Sequence, residues 1–210
     1  MTEAYELRNM IEAEQLEFAA MLRGLTPEQW EVASLCEGWT VHDAVVHIAW
    51  HTHTTDVGRT VQLLKARNSE RRVLDSEAAI RSNDELIDYL ASPAMLGGPS
   101  NLRTQLTELV LHQQDVRRPL GILRTIPEDR LLVVLDFSLT RSGGGATLAS
   151  ARKRAKGLRL VASDLPWSAG VGPEVRGPGE ALCVALNGRN GAVDQLTGDG
   201  VPVLAGRIKT

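Results

Sequence analysis

The sequence predicts an antiparallel four-helix bundle followed by a small α+β domain. Apolar residues recur at three- and four-residue spacing through most of the first 140 residues, which is the period of helices with one buried face. From the glycine-rich stretch "RSGGG" onward, short alternating segments separated by glycine and proline are typical of strands and turns. We therefore expect a helical bundle over residues 1–142, a linker over 143–157 and an α+β domain over 158–210.

The first helix is predicted from an apolar stripe that runs from Leu7 to Leu25. Thr26 can cap a new helix and Pro27 suits its first position, so a short helical turn should follow. Thr40 and Asp43 resemble a capping box, which predicts a second long helix from Val41 into the sixties.

Three more helices complete the expected helical region. Asn83 is predicted to cap a shorter helix in "SNDELIDYL", and Ser100 to begin another that stops before Pro119. Pro127 then opens a last helix, "PEDRLLVVLDFSLT". The loops between them are short, as expected for antiparallel neighbours.

The C-terminal region contains two predicted strands and a helix. "LRLVAS" alternates polar and apolar residues, and "GVGPEVRG" suits a short strand between glycines. In "PGEALCVALNG", Pro178 and Gly188 are suitable ends for a helix.

Composition excludes several classes of function. The net charge of −3 gives no electrostatic footprint for nucleic acid, and we interpret the basic cluster "RKRAKGLR" as a solvated connector. No signal peptide or membrane-spanning segment is recognisable. Cys36 and Cys183 are far apart in sequence and suggest neither a disulfide framework nor a thiolate metal cage. A soluble, cytoplasmic protein is expected, with both cysteines serving packing.

The histidines suggest a metal site. Four of the five lie in "TVHDAVVHIAWHTH", where His47 and His51 are one helical turn apart. Further along, Glu108 and His112 lie about 40° apart on one helical face, so both could bind one divalent ion. Either His47 or His51 could supply a third ligand across a cleft in the bundle and leave positions open for solvent or substrate. The alternative is that Glu108 and His112 form a solvated surface pair.

The remaining polar residues near these positions have secondary interpretations. Asp115 lies on the same face as Glu108 and His112, where its carboxylate could accept a hydrogen bond from a ligand imidazole. His42 and His53 are expected at the surface.

Three motifs carry a family resemblance. "CEGWTVHDAVVHIA", "ELVLHQQDVRRPLG" and "GLRLVASDLPWSAGVGPEVRGPGEALCVALNGR" resemble, in this order, the mycothiol-dependent maleylpyruvate isomerase family of actinobacteria, a branch of the DinB/YfiT-like four-helix bundles. The resemblance extends over nearly the whole chain and implies a small, sterol-carrier-like C-terminal domain. It also implies that His47, Glu108 and His112 are the metal ligands, and so favours His47 over His51. His51 is then an additional residue, able to act as an alternative ligand or a proton carrier.

The resemblance further implies mycothiol as a thiol cosubstrate. We expect zinc as the metal, although nickel, iron and manganese also suit imidazole and carboxylate ligands. A metal-bound thiolate can add to an activated small carboxylic acid or another electrophile, giving either cis–trans isomerisation or S-transfer. The alternative function is a non-catalytic, metal-stabilised bundle that binds a small ligand or acts as a regulator.

Arg176 is the candidate substrate-binding residue. It precedes a predicted helix start, where free backbone N–H groups also favour an anion. Arg117 and Arg118 are weaker candidates for the same role.

Overall fold

The structure is a computed structural model that describes residues 2–94, 99–140 and 146–208. The chain forms two compact units, Met1–Ile122 and Leu123–Thr210. No helix in the described part of the chain is both long enough and apolar enough to cross a membrane.

The first unit is a four-helix bundle, as the sequence predicts. Its elements are α1 (Glu3–Leu22), α2 (Pro27–Trp30), α3 (Val41–His53), α4 (Asp56–Lys65), α5 (Glu70–Ala78), α6 (Asn83–Ala91) and α7 (Pro99–Arg117). Helices α1 and α3 each pack against both α6 and α7, which closes a ring of four helices around one core. The centre of this core is fully buried and apolar, with Phe18 from α1, Ile48 from α3, Leu90 from α6 and Leu106 from α7.

The predicted second helix is in fact two helices. Helix α3 ends at His53 because Thr54 adopts an extended conformation. Thr55 then starts α4, and its hydroxyl accepts a hydrogen bond from the backbone N–H of Gly58. The helical period alone does not reveal this break, since the apolar pattern continues across the two threonines.

Two further differences concern helix starts. Ser82, and not Asn83, caps α6, because its hydroxyl accepts from the N–H of Glu85 while the Glu85 carboxylate accepts from the N–H of Ser82. Helix α5 was not anticipated as a separate element. It is capped by Ser69 and buries only Val73 and Leu74, so its apolar signal in the sequence is weak.

The second unit combines helices with a small sheet. Its elements are α8 (Glu128–Leu139), α9 (Ala146–Ala155), β1 (Arg159–Ala162), β2 (Ser168–Ala169), β3 (Glu174–Gly177), α10 (Gly179–Leu186), a 3₁₀ helix (Asn190–Gln195) and α11 (Val201–Ala205). The strand order is β2-β1-β3, with β1 antiparallel to β2 and parallel to β3. Both predicted strands and the predicted helix are present. Helix α10 packs against the sheet and is buried along most of its length.

The units divide at a different position from the one expected from composition. Helix α8, placed in the bundle by the sequence, packs against α9 and α10 of the second unit. The indole Nε1 of Trp167 also donates to Oδ1 of Asp136 over 2.7 Å. Helix α9 occupies most of the segment expected to be a linker, whereas residues 141–145 lie outside the described residues. The predicted boundaries at residues 142 and 157 stay a prediction, and the two divisions differ in which unit contains α8.

Candidate metal centre

The loop before α3 places Trp39 near the candidate ligand His47. Ala33 pairs with Thr40 in an isolated β-bridge, and Gly38 takes a positive φ of 76° that closes the turn between them. The backbone N–H of Leu35 donates to the carbonyl of Asp115 over 3.0 Å, which fixes the loop on α7. As a result, the ring centroid of Trp39 lies 5.0 Å from that of His47.

Helices α3 and α7 bring the predicted ligands together. His47, Glu108 and His112 each offer one donor atom, and these atoms lie within 4.8 Å of one another. Oε2 of Glu108 is 3.1 Å from Nε2 of His112 and 3.9 Å from Nε2 of His47. Glu108 and His112 face the same way because they are one turn apart on α7, while packing of α3 against α7 brings His47 to them.

The geometry of these donors fits a divalent ion. Zinc holds nitrogen and oxygen ligands at about 2.0–2.2 Å in a tetrahedral arrangement, so two donors of one ion lie roughly 3.3 Å apart. The distances of 3.1 and 3.9 Å to Oε2 of Glu108 are close to that separation. Once deprotonated at Nε2, each imidazole would present a lone pair to an ion at this point, and the Glu108 carboxylate would supply negative charge. The donor set therefore suits the metal that the family resemblance implies.

A buried carboxylate orients His112. Oδ2 of Asp115 lies 2.8 Å from Nδ1 of His112, and since an ionised carboxylate can only accept, this nitrogen donates. The Nε2 atom is thereby left facing Glu108, as a metal ligand requires. The thiol of Cys36 donates to the same Oδ2 over 3.1 Å, so Cys36 supports the site and is not merely a packed loop residue.

A second carboxylate, missed by the sequence analysis, contacts His47. Oε1 of Glu70, in the first turn of α5, lies 2.8 Å from Nδ1 of His47. The contact is short but poorly aligned, and this buried Nδ1 therefore has no hydrogen-bond partner of acceptable geometry. No spacing rule links the two residues, which are brought together only by the packing of α5 on α3.

The titration of the cluster reflects these contacts. Burial alone lowers the pKa of His112, but hydrogen bonds with Asp115, Cys36 and Glu108 outweigh it and hold this pKa well above its usual value. Burial likewise raises the pKa of Glu108, whereas hydrogen bonds from His112 and His47 hold it well below its usual value. Without a bound ion, the cluster therefore retains a positive charge next to Glu108.

The other histidines of α3 differ from one another. His51 lies beside His47, with ring centroids 4.7 Å apart, but it does not belong to the group of converging donors. Burial, followed by the charge of His47, lowers the pKa of His51 to about 3, so its imidazole is neutral. His42 is partly exposed near Trp30.

The prediction that His53 lies at the surface is wrong. Only 7% of the residue is exposed, and its two ring nitrogens lie 3.1 Å from the carbonyl oxygens of Ala49 and Ser92. The residue faces α6, where its ring also stacks on Tyr89 with centroids 4.2 Å apart. The helix period could not indicate this, since His53 falls at the very end of α3.

The arginine candidates lie in different parts of the chain. Arg176 is on β3 of the second unit, where its Nε donates to Oε1 of Glu174 over 2.8 Å. Arg117 is 5% exposed, and its Nε donates to Oε1 of Gln113 on its own helix. A role for Arg176 in substrate binding therefore stays a prediction.

Comparison with protein families gives a match in the first unit. Residues 11–92 match the profile of the mycothiol maleylpyruvate isomerase N-terminal domain. This range includes His47, His51 and Glu70 but not Glu108 or His112. A comparison with curated protein sequences gives no match.

Solved structures share the fold of nearly the whole chain. A crystal structure of the mycothiol-dependent maleylpyruvate isomerase superposes with a TM-score of 0.55 at 16% identity, covering 94% of this chain and 93% of that one. A histidine-to-alanine mutant of that isomerase gives a TM-score of 0.54 at 15% identity with the same coverage. The resemblance seen in the sequence motifs is thus confirmed: residues 11–92 match the profile of the mycothiol maleylpyruvate isomerase N-terminal domain, and the chain has the fold of the maleylpyruvate isomerase structures.

Proposed function

We propose that this protein is a divalent-metal-dependent, mycothiol-dependent enzyme of the maleylpyruvate isomerase type. The observation that carries the proposal is the convergence of His47, Glu108 and His112 on one point between α3 and α7. The family match and the fold of the isomerase structures support the same activity and do not favour a purely structural or regulatory bundle. A cytoplasmic location, expected from the sequence, is part of the proposal.

The residues of the chain would hold and orient the reacting groups. His47, Glu108 and His112 provide three ligands, so a position is left for a fourth, as in catalytic zinc sites. Asp115 keeps Nε2 of His112 directed toward Glu108. A divalent ion bound there would favour the thiolate form of a small thiol cosubstrate.

The proposed reaction conserves the thiol. Addition of a thiolate to a double bond conjugated with a carbonyl forms a C–S bond and moves the π electron pair onto the carbonyl oxygen as an enolate. The former double bond is then a single bond, about which rotation is free. Elimination of the same thiolate then restores the double bond in the trans form, with no net consumption of thiol. Protonation of the enolate carbon by solvent, followed by release of the thioether before elimination, would instead give S-transfer with consumption of one thiol. The substrate class is a small unsaturated carboxylic acid or another electrophile.

The metal site can be tested without activity. We expect the wild-type chain to bind zinc stoichiometrically, and the variants His47→Ala, Glu108→Ala and His112→Ala to lose stoichiometric binding. His42→Ala is the matched control, because His42 lies on the same helix but outside the group of converging donors. Metal analysis of the purified proteins measures this directly. Full retention of zinc in all three ligand variants would remove the basis of the proposal.

The thiol dependence needs its own assay. Zinc-loaded protein is incubated with mycothiol and a panel of unsaturated acids and other electrophiles. The control is the same reaction without mycothiol. Turnover that depends on both zinc and mycothiol is the expected result. If the protein binds zinc but turns over no member of the panel, a binding role becomes the better explanation.

Arg176 is proposed to bind the substrate carboxylate. Arg176→Ala should raise KM for a dicarboxylic substrate about tenfold or more, because a charge-assisted contact to a carboxylate is lost. Arg159→Ala is the control, since Arg159 also pairs with Glu174 but is not proposed to contact the substrate. Equal KM values for the two variants would contradict this assignment.

A further inference from the structure

One face of α3 is held by side chains from the helices that follow it. Asp43, His47 and Trp50 have i, i+4 and i+7 spacing, which places them along one side of the helix. Each contacts a residue in the stretch 55–79, here called the α4–α5 segment. The pairs are Arg71 Nη1 with Asp43 Oδ2 at 2.8 Å, Glu70 Oε1 with His47 Nδ1 at 2.8 Å, and Trp50 Nε1 with Gln62 Oε1 at 2.5 Å.

The α4–α5 segment has few apolar contacts to keep it in place. None of the described side chains of α4 is buried, and Val57 and Leu64 are 75% and 65% exposed. In α5, the buried side chains are Val73 and Leu74. Two buried aliphatic side chains give little apolar stabilisation to offset the chain entropy lost when the segment docks. The polar contacts to α3 therefore have a large share in docking this segment.

Of these contacts, the one from Glu70 reaches a candidate metal ligand. The Nε2 atom of His47 faces Glu108, so the Nδ1 atom on the other side of the ring must carry the hydrogen when His47 is a ligand. This Nδ1 is buried, has no aligned acceptor, and has the Glu70 carboxylate 2.8 Å away. Glu70 approaches Nδ1 of His47 as closely as Asp115 approaches Nδ1 of His112, at 2.8 Å, but it comes from a separate segment of the chain.

We propose that Glu70 is the positioning residue for His47 and that metal binding therefore fixes the α4–α5 segment on α3. The inference rests on the metal site of the proposed function. If docking of Glu70 strengthens metal binding by some factor, metal binding must strengthen docking by the same factor, because the two equilibria are linked. Asp115 cannot produce this coupling, since it belongs to the helix that carries His112.

The first test measures zinc affinity by competition with a chromogenic chelator. Glu70→Gln should bind zinc about 10- to 100-fold more weakly than wild type, the usual effect of removing a carboxylate behind a ligand histidine. Glu70→Asp, which keeps the charge, should bind zinc more tightly than Glu70→Gln. If Glu70 served only packing, the isosteric glutamine would be the better tolerated of the two. Asp75→Asn is the control, because Asp75 lies in the same helix in an exposed ion pair with Arg71.

The second test requires no variant. Hydrogen exchange of backbone amides is followed in the wild-type chain with and without zinc, and α6 provides the internal reference because no candidate ligand lies on it. Zinc should slow exchange in the α4–α5 segment by a factor similar to the affinity ratio of wild type to Glu70→Gln, while α6 changes less.

The outcomes separate the two proposals. A wild-type chain that binds no zinc contradicts the proposed function, and with it this inference. Two other outcomes overturn this inference alone. In the first, the wild-type chain binds zinc but hydrogen exchange in the α4–α5 segment is unchanged. In the second, Glu70→Gln binds zinc with the same affinity as Asp75→Asn.

Discussion

Nδ1 of His112 donates a hydrogen bond to Oδ2 of Asp115 over 2.8 Å, and both side chains are buried. The two residues are three positions apart on α7, so the helix itself sets their relation. The bond determines which ring nitrogen of His112 faces Glu108, and the zinc affinity of the candidate site should depend on it.

Replacing Asp115 with asparagine should weaken zinc binding. Asp115→Asn removes the negative charge that supports His112 as a ligand, and we expect zinc affinity to fall about 10- to 100-fold. Competition with a chelator measures the change. Asp84→Asn, an exposed aspartate in the same unit, should leave the affinity unchanged. Equal affinities for the two variants would show that Asp115 has no influence on the ion.

Replacing His51 should preserve metal binding. His51 does not lie among the converging donors, so His51→Asn is expected to keep one zinc per chain, with an affinity within about tenfold of wild type. Metal analysis gives the number of zinc ions per chain, and competition with a chelator gives the zinc affinity. Loss of stoichiometric zinc would identify His51 as a fourth protein ligand, which would close the site and favour a structural role for the ion.

The contact between Asp43 and Arg71 should make stability depend on pH. Burial raises the pKa of Asp43, but hydrogen bonds from the Thr40 backbone and from Arg71 lower it by a larger amount. The pKa of Asp43 in the folded protein therefore lies below its ordinary value. A carboxylate of this kind stabilises the fold above its unfolded pKa of about 3.9, and the contribution is lost as the pH falls through the folded value.

The variant Asp43→Asn tests this dependence. At pH 7 it should be less stable than wild type by about 1–2 kcal/mol, from a weakened helix cap and a lost charged hydrogen bond. Urea unfolding in the presence of a chelator, repeated from pH 8 to pH 3.5, measures the difference. The difference in unfolding free energy between wild type and Asp43→Asn should be constant above about pH 5 and should decrease below it. A difference independent of pH would assign the effect to packing alone.

Two fragments should fold differently. Helix α8 buries Leu131, Val134, Leu135 and Phe137 within the second unit. A fragment of residues 123–210 is therefore expected to unfold cooperatively, whereas 143–210 lacks this apolar face and should not. Circular dichroism during thermal unfolding distinguishes them. Cooperative unfolding of 143–210 would instead support the boundary at residue 142.

The sequence alone determined the features that depend on neighbours within one helical turn. The period of apolar residues predicts the long helices of the bundle, and the spacing of Glu108 and His112 places both on one face of α7. The same local rule placed Asp115 beside His112. Short motifs also carried the family resemblance, because they join a turn, a cap and a helix within a few residues.

Only the tertiary structure decided the features that involve segments distant along the chain. Glu70 contacts His47 because α5 packs on α3, and no pattern within either helix encodes this contact. His53 is buried because α6 covers the end of α3, and α8 belongs to the second unit because its apolar face meets α9 and α10. The physical reason is that helix geometry fixes which residues share a face, whereas the element that covers this face depends on how all the apolar surfaces of the unit are buried together.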